Sequence, residues 1–100
     1  LNVDLRFESD DLSKFALLQN TPNPFAEMTT IGFILPEASL ATLTIYDVSG
    51  RAMKVIEGDY KAGYNEVDVA RSDLNVGMLY YRLETPTRHA AKKMLLIEQE

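Results

Sequence analysis

Apolar and polar side chains alternate with a period of two along most of this chain, and turn residues break the alternation about every 8–12 positions. That pattern restricts the chain to short, half-buried strands. Phe15–Gln19 is a short apolar run. In Thr29–Leu35, Ile31, Phe33 and Leu35 alternate with Thr30, Gly32 and Ile34. In Ala41–Asp47, Ala41, Leu43 and Ile45 alternate with Thr42, Thr44 and Tyr46. Ala52–Glu57 carries Met53 and Val55, and Asn65–Val69 carries Val67 and Val69. Met78–Glu84 sets Leu79, Tyr81 and Leu83 against Met78, Tyr80 and Arg82, and Ala90–Glu98 sets Leu95 and Ile97 against Met94 and Leu96. No segment combines helical spacing with caps. Seven such strands predict an all-β domain, a seven-stranded antiparallel immunoglobulin-like β-sandwich, without the Cys–Trp–Cys core of antibody domains. The expected inward side chains are Phe33, Leu43, Ile45, Val67, Leu79, Tyr81, Leu83 and Leu95.

The connections carry turn chemistry. Asp47-Val48-Ser49-Gly50 has Asp at the first and Gly at the fourth position of a type I turn. Thr85-Pro86-Thr87-Arg88 has Pro at the second position, where its fixed φ suits the turn. Gly58 and Gly63 are expected to bracket a tight connection, and Gly77 to precede the sixth strand. Gln19-Asn20-Thr21-Pro22-Asn23-Pro24-Phe25 is the most distinctive local string. Its two prolines lack a backbone N–H and resist ladder pairing, so a rigid corner is expected there, with Phe25 tucked into the end of the sandwich.

A chain of 100 residues makes one domain and buries about 60–65% of its unfolded surface. Its hydrophobic fraction of 46% supports a core. The net charge of −5 argues against a general nucleic-acid binder, which needs excess Lys and Arg. There is no Cys, hence no disulfide framework or thiol nucleophile. No apolar run approaches the roughly 18 residues of a helical membrane span. The first residue is Leu1, so the chain is expected to be a fragment of a longer protein. Residues 1–14 read as the end of a preceding region plus the acidic linker Glu8-Ser9-Asp10-Asp11, and residues 15–100 as the domain. Val3, Leu5 and Phe7 alternate as a further strand would. The segment Glu8–Lys14 has no apolar anchor and is expected to be open to a protease.

Catalytic equipment is missing from the pattern. His89 is the only histidine, which excludes HExxH and multi-His metal sites, and it falls in an expected hairpin connection. There is no GxSxG elbow, no phosphate-cradling glycine loop, and no calcium-loop spacing in Glu8–Asp11. The carboxylates mostly alternate outward on strands or sit in turns, and no close pair is expected to be buried. No enzyme, cofactor or metal is therefore expected. Basic residues concentrate near the end: Arg82, Arg88, Lys92 and Lys93 face one acid, Glu84, beside the apolar run Met94–Ile97. Lysines of this kind also protect edge strands from aggregation.

The ordered combination of strings is more specific than any one of them. "LLQNTPNPF", "TTIGFILPEASLATLTIYDVSGR", "GYNEV" and "LNVGMLYYRLETPTRHAAKKMLLIE" occur in that order. This array resembles the type A C-terminal sorting domain of the type IX secretion system, found at the ends of secreted Bacteroidetes proteins. The resemblance runs from about Phe15 to Glu98. It rests on the corner (Pro22, Asn23, Pro24, Phe25), the Asp-x-x-Gly-Arg turn (Asp47, Gly50, Arg51) and the terminal block (Gly77, Tyr80, Tyr81, Lys92, Lys93, Met94, Leu95, with Leu96 and Ile97). Thr21 stands where Tyr is commoner, and one residue is inserted between Gly77 and Tyr80. The resemblance implies a domain that does no chemistry. A fused upstream cargo reaches the periplasm by a signal peptide. The outer-membrane type IX translocon then recognises the folded domain, and a sortase-type surface protease commonly removes it, leaving cargo anchored or released. The alternative is a fibronectin-like spacer or a carbohydrate-binding module of a secreted protein. For the latter, Tyr46, Tyr60, Tyr64 and Tyr80 are the candidate aromatics.

Overall fold

The computed structural model describes residues 13–98. The acidic segment Glu8–Asp11 and the alternation Val3, Leu5, Phe7 lie outside the described residues. Seven strands follow in order: β1 (Ala16–Leu17), β2 (Met28–Leu35), β3 (Ser39–Tyr46), β4 (Ala52–Tyr60), β5 (Gly63–Ala70), β6 (Gly77–Glu84) and β7 (His89–Leu96). They form two sheets, β1-β2-β5 and β4-β3-β6-β7, in which all the neighbours are antiparallel. This is an immunoglobulin-like sandwich. Period-two alternation delivers one face of each strand to the space between the sheets. Ile31, Phe33 and Leu35 of β2 meet Leu43 and Ile45 of β3 and Leu79, Tyr81 and Leu83 of β6 in a single buried cluster. Phe25 completes it from the corner, 1% exposed. Val67 is half-buried and packs against this cluster.

Two strands depart from the expected faces. Leu95 was expected inward; it is half-buried on the outer face, while Met94 and Leu96 are buried. The run Met94–Ile97 is apolar on both faces, so alternation alone does not choose between them. The pairing of β6 with β7 chooses: Leu79 lies opposite Met94 and Tyr81 opposite Lys92, and antiparallel partners share a face. In β4 the register slips between Ile45 and Tyr46, so that Ile45 pairs with Lys54 but Tyr46 with Ala52. Past this bulge Ile56 and Tyr60 supply the inner face, and Val55 is exposed. Tyr60 meets Phe33 edge-on at 5.1 Å.

Boundaries shift as well. β4 continues through Gly58 to Tyr60, so the tight connection is Lys61-Ala62 and not the stretch between Gly58 and Gly63. Only Ala16 and Leu17 of the first apolar run enter a strand, although Leu18 N–H still donates to Gly32 O. The Asp47 turn closes as expected, with Gly50 N–H donating to Asp47 O at 3.0 Å and Gly50 at φ 87°. At the last hairpin Thr85 N–H donates to Arg88 O, and the Thr85 hydroxyl accepts Arg88 N–H at 3.0 Å.

Candidate functional site: the corner, the terminal strand and the Asp47 turn

The connection between β1 and β2 begins with a polar lock. The buried Asn20 donates its backbone N–H to the Tyr81 hydroxyl (2.9 Å), and that hydroxyl donates to Leu18 O (2.8 Å). Burial pushes the Tyr81 phenol up to about 12, although its bond from the Asn20 N–H works the other way. Asn20 Nδ2 donates to Pro22 O and to Thr29 Oγ1, and Thr29 Oγ1 donates to Pro22 O. Three side chains, Asn20, Thr29 and Tyr81, from three regions of the chain therefore hold the start of the corner. Both of its X–Pro bonds, Thr21–Pro22 and Asn23–Pro24, are cis.

Held in this way, the corner lies along the free edge of β7. Phe25 N–H donates to Leu95 O (3.0 Å), and Phe25 O accepts Ile97 N–H (2.9 Å). Asn23 Oδ1 accepts Leu95 N–H (3.0 Å), and Gln19 Nε2 donates to Lys93 O (2.7 Å). A short parallel bridge thus joins Phe25 to Leu96. Arg71, just after β5, seals the joint: its guanidinium donates to Ala26 O and, at 3.3 Å, to Ile97 O. The prolines at 22 and 24 have no N–H to spend on a ladder, so Asn23 and Phe25 supply the edge contacts.

The Asp47 turn lies at the same end of the sandwich. Tyr46, the last residue of β3, pairs with Tyr80, and Tyr80 pairs with Lys93. Tyr46, Tyr80 and Lys93 form a cross-strand row on the outer face, with Met78 opposite Leu95 in the next row. Met78, Tyr80, Ile97, Val48 and Val76 are all exposed at this end. Asp47 Oδ1 collects Ser49 Oγ–H (2.6 Å), Ser49 N–H (2.9 Å) and Arg51 N–H (3.1 Å). Ser49 chiefly, with the Arg51 amide and the Arg51 charge, holds the Asp47 carboxyl below its usual value. Arg51 approaches it at 3.5 Å.

The structure thus brings the three sequence blocks to one end, with different tasks for neighbours. Pro22, Asn23 and Pro24 are exposed and Phe25 is buried. Tyr80 lies outside while Tyr81 locks the core. Gly77 opens β6 at φ 122°, in the region that favours glycine. Lys93 is exposed, whereas Lys92 is half-buried on the core side opposite Tyr81. The basic cluster is divided accordingly, and Arg82 pairs with Glu84 at 3.3 Å. Gln19 and Asn20 open the distinctive string but were given no role by sequence, and Thr29 and Arg71 were not singled out at all. The aromatics of the carbohydrate alternative are dispersed, since Tyr60 packs against Phe33, Tyr64 of β5 lies over Gly32 of the adjoining β2, and Tyr46 and Tyr80 pair in the opposite sheet. Among the described residues no group of three or more His, Asp or Glu is placed to hold a metal ion.

The family model described as the secretion system C-terminal sorting domain matches residues 21–98. The chain belongs to this family. No curated protein matches it. The matched region begins inside the corner and ends two residues after Leu96, where Phe25 bridges to β7, so it spans every element of the joint except Gln19 and Asn20. Membership makes the chain a type IX secretion sorting signal and implies a cargo upstream of it.

Proposed function

We propose that this sorting domain is a non-catalytic address that carries its cargo across the outer membrane to the cell surface or beyond. In this reading the type IX translocon of the outer membrane recognises the folded domain. A sortase-type surface protease then cuts at or upstream of the segment 8–14. The observation that supports the reading best is the joint between the corner and β7. Asn23 and Phe25 meet Leu95 and Ile97 only after the rest of the sandwich has placed β7, so the joint exists only in the folded domain. A receptor that reads it reads completed folding together with address. The exposed row Tyr46, Tyr80 and Lys93, with Met78 beside it, gives the receptor an apolar surface with a positive rim.

The test is to fuse the whole chain to a periplasmic reporter in a cell competent for type IX secretion. The reporter should reach the surface or the medium, and mass spectrometry should place the cut before residue 15. A folded fusion retained in the periplasm would show that the domain is not sufficient as an address.

A further inference from the structure

The joint covers only half of the free edge of β7. Lys93 O, Leu95 N–H, Leu95 O and Ile97 N–H point to that edge, where Gln19, Asn23 and Phe25 take them. Backbone groups alternate in direction along a strand, so Ala91 N–H and C=O and Lys93 N–H point the same way. Among the described residues no hydrogen bond reaches these three groups. At the start of the same strand, where His89 opens β7, lies an open groove of about 490 Å³, lined by Ser13, Lys14, Phe15, Thr87, Arg88 and His89. The groove is the seam between the two sheets, with the chain entering β1 on one side and the start of β7 on the other.

Charge marks the seam further. Residues 13–25 and 86–97, which border it, contain Lys14, Arg88, Lys92 and Lys93, with His89, and no Asp or Glu. The whole chain has 15 acidic residues against 10 basic ones, so this is a cationic line on an acidic domain.

We propose that the seam takes up an extended acidic strand of a partner protein, which adds to the edge of β7 at Ala91 and Lys93. Backbone bonds to Ala91 N–H and C=O and to Lys93 N–H supply the affinity, and carboxylates facing Lys92, Lys93 and Arg88 supply orientation. Gln19 sets the register, because its bond to Lys93 O ends the open stretch. The edge admits a segment of about five residues at roughly 3.3 Å per residue. Lysines on an edge repel indiscriminate pairing, and an acidic strand is the kind they admit. The inference rests on the sorting reading only in placing the partner within the export machinery.

The experiment uses the 100-residue chain and an acetylated eight-residue peptide of alternating threonine and glutamate, with its threonine–lysine counterpart as control. Amide exchange followed by NMR should show Ala91 and Lys93 slowed at least about tenfold by the glutamate peptide alone, with Leu95 and Ile97 unchanged. Lys92→Glu with Lys93→Glu should weaken the glutamate peptide about tenfold or more and favour the lysine peptide. No protection at Ala91, or equal binding of both peptides, would overturn the proposal. So would protection without peptide in a self-associated chain, which would make a second copy the occupant. In cells, Ala91→Pro removes an edge N–H at a position where proline is tolerated, and should reduce export by about tenfold or more at an unchanged melting temperature. If the wild-type fusion is exported and this variant equally so, the partner is not part of export and the proposal fails while the sorting reading stands. If the wild-type fusion is not exported, the sorting reading fails, and the peptide experiment still decides the edge.

Discussion

Asn23 and Leu95 stand 72 positions apart, and the Asn23 side-chain oxygen accepts the Leu95 N–H at 3.0 Å. The bond ties the proline corner to the terminal strand at Leu95, whose C=O in turn accepts the Phe25 N–H. Asn23→Ala should therefore remove about 1 kcal/mol of stability, the net worth of one hydrogen bond, and lower the melting temperature by about 4–8 °C. Amide exchange at Leu95 should accelerate while Ile97, held by Phe25, keeps its protection. Calorimetry and exchange read the two effects separately.

Much of the fold follows from alternation that has one apolar face. β2, β3 and β6 place Phe33, Leu43, Ile45, Leu79, Tyr81 and Leu83 inward as their spacing requires. β7 is different, since Met94, Leu95, Leu96 and Ile97 offer two apolar faces and only the register with β6 selects one. The bulge in β4 has the same character, because an extra residue in one strand is defined by its partner. Within the site, the prolines of the corner and the Asp47 turn are legible because local backbone chemistry makes them. Asn20, Thr29 and Arg71 were not, since a polar side chain shows its purpose only against partners such as Tyr81 or Ile97 from distant strands.

Tyr81→Phe tests the lock beneath the corner. The ring volume stays, but the Asn20 N–H and Leu18 C=O lose their partner. Leaving them unsatisfied should cost about 2 kcal/mol, with no cavity to confuse the measurement. The wild-type phenol rises from 10.0 in the unfolded chain to about 12 in the folded one. Above pH 10 the unfolded chain releases this proton first, so the associated stability is complete below pH 10 and is lost as pH rises towards 12. Urea titrations across that window should show a falling stability in the wild type and a flatter profile in Tyr81→Phe.

The Asp47 turn makes an acid-side prediction. Its carboxyl is held below 3.8, chiefly by the Ser49 hydroxyl, so its contribution is present above pH 3.8 and is lost as pH falls through the lower folded value. Ser49→Ala should move the Asp47 titration upwards in NMR. Asp47→Ala should also release the Ser49 and Arg51 amides into faster exchange, because both donate to the same oxygen. If Ser49→Ala leaves the titration in place, the hydroxyl is not its main cause.

The terminal lysines separate recognition from folding. Deleting residues 92–100 removes Met94 and Leu96 from the core, so lost export would follow from unfolding alone. Lys92→Gln with Lys93→Gln keeps side-chain length and polarity and removes only charge. Lys93 is exposed beside Tyr80, and Lys92 is half-buried at the margin of the core, so the stability change should stay near 0.5 kcal/mol, about that of an ordinary surface substitution. A receptor that reads the basic rim of this edge should lose encounter rate and register together, because charge complementarity governs both. Export of the reporter should fall sharply while the purified domain melts almost unchanged. The single Lys93→Gln variant should account for the larger share, its side chain being the more exposed of the two. Normal export by a normally folded double variant would assign the lysines to edge protection alone. The surface read by the machinery would then have to be sought among Pro22, Asn23 and Pro24 at the corner, or at the Asp47–Arg51 turn.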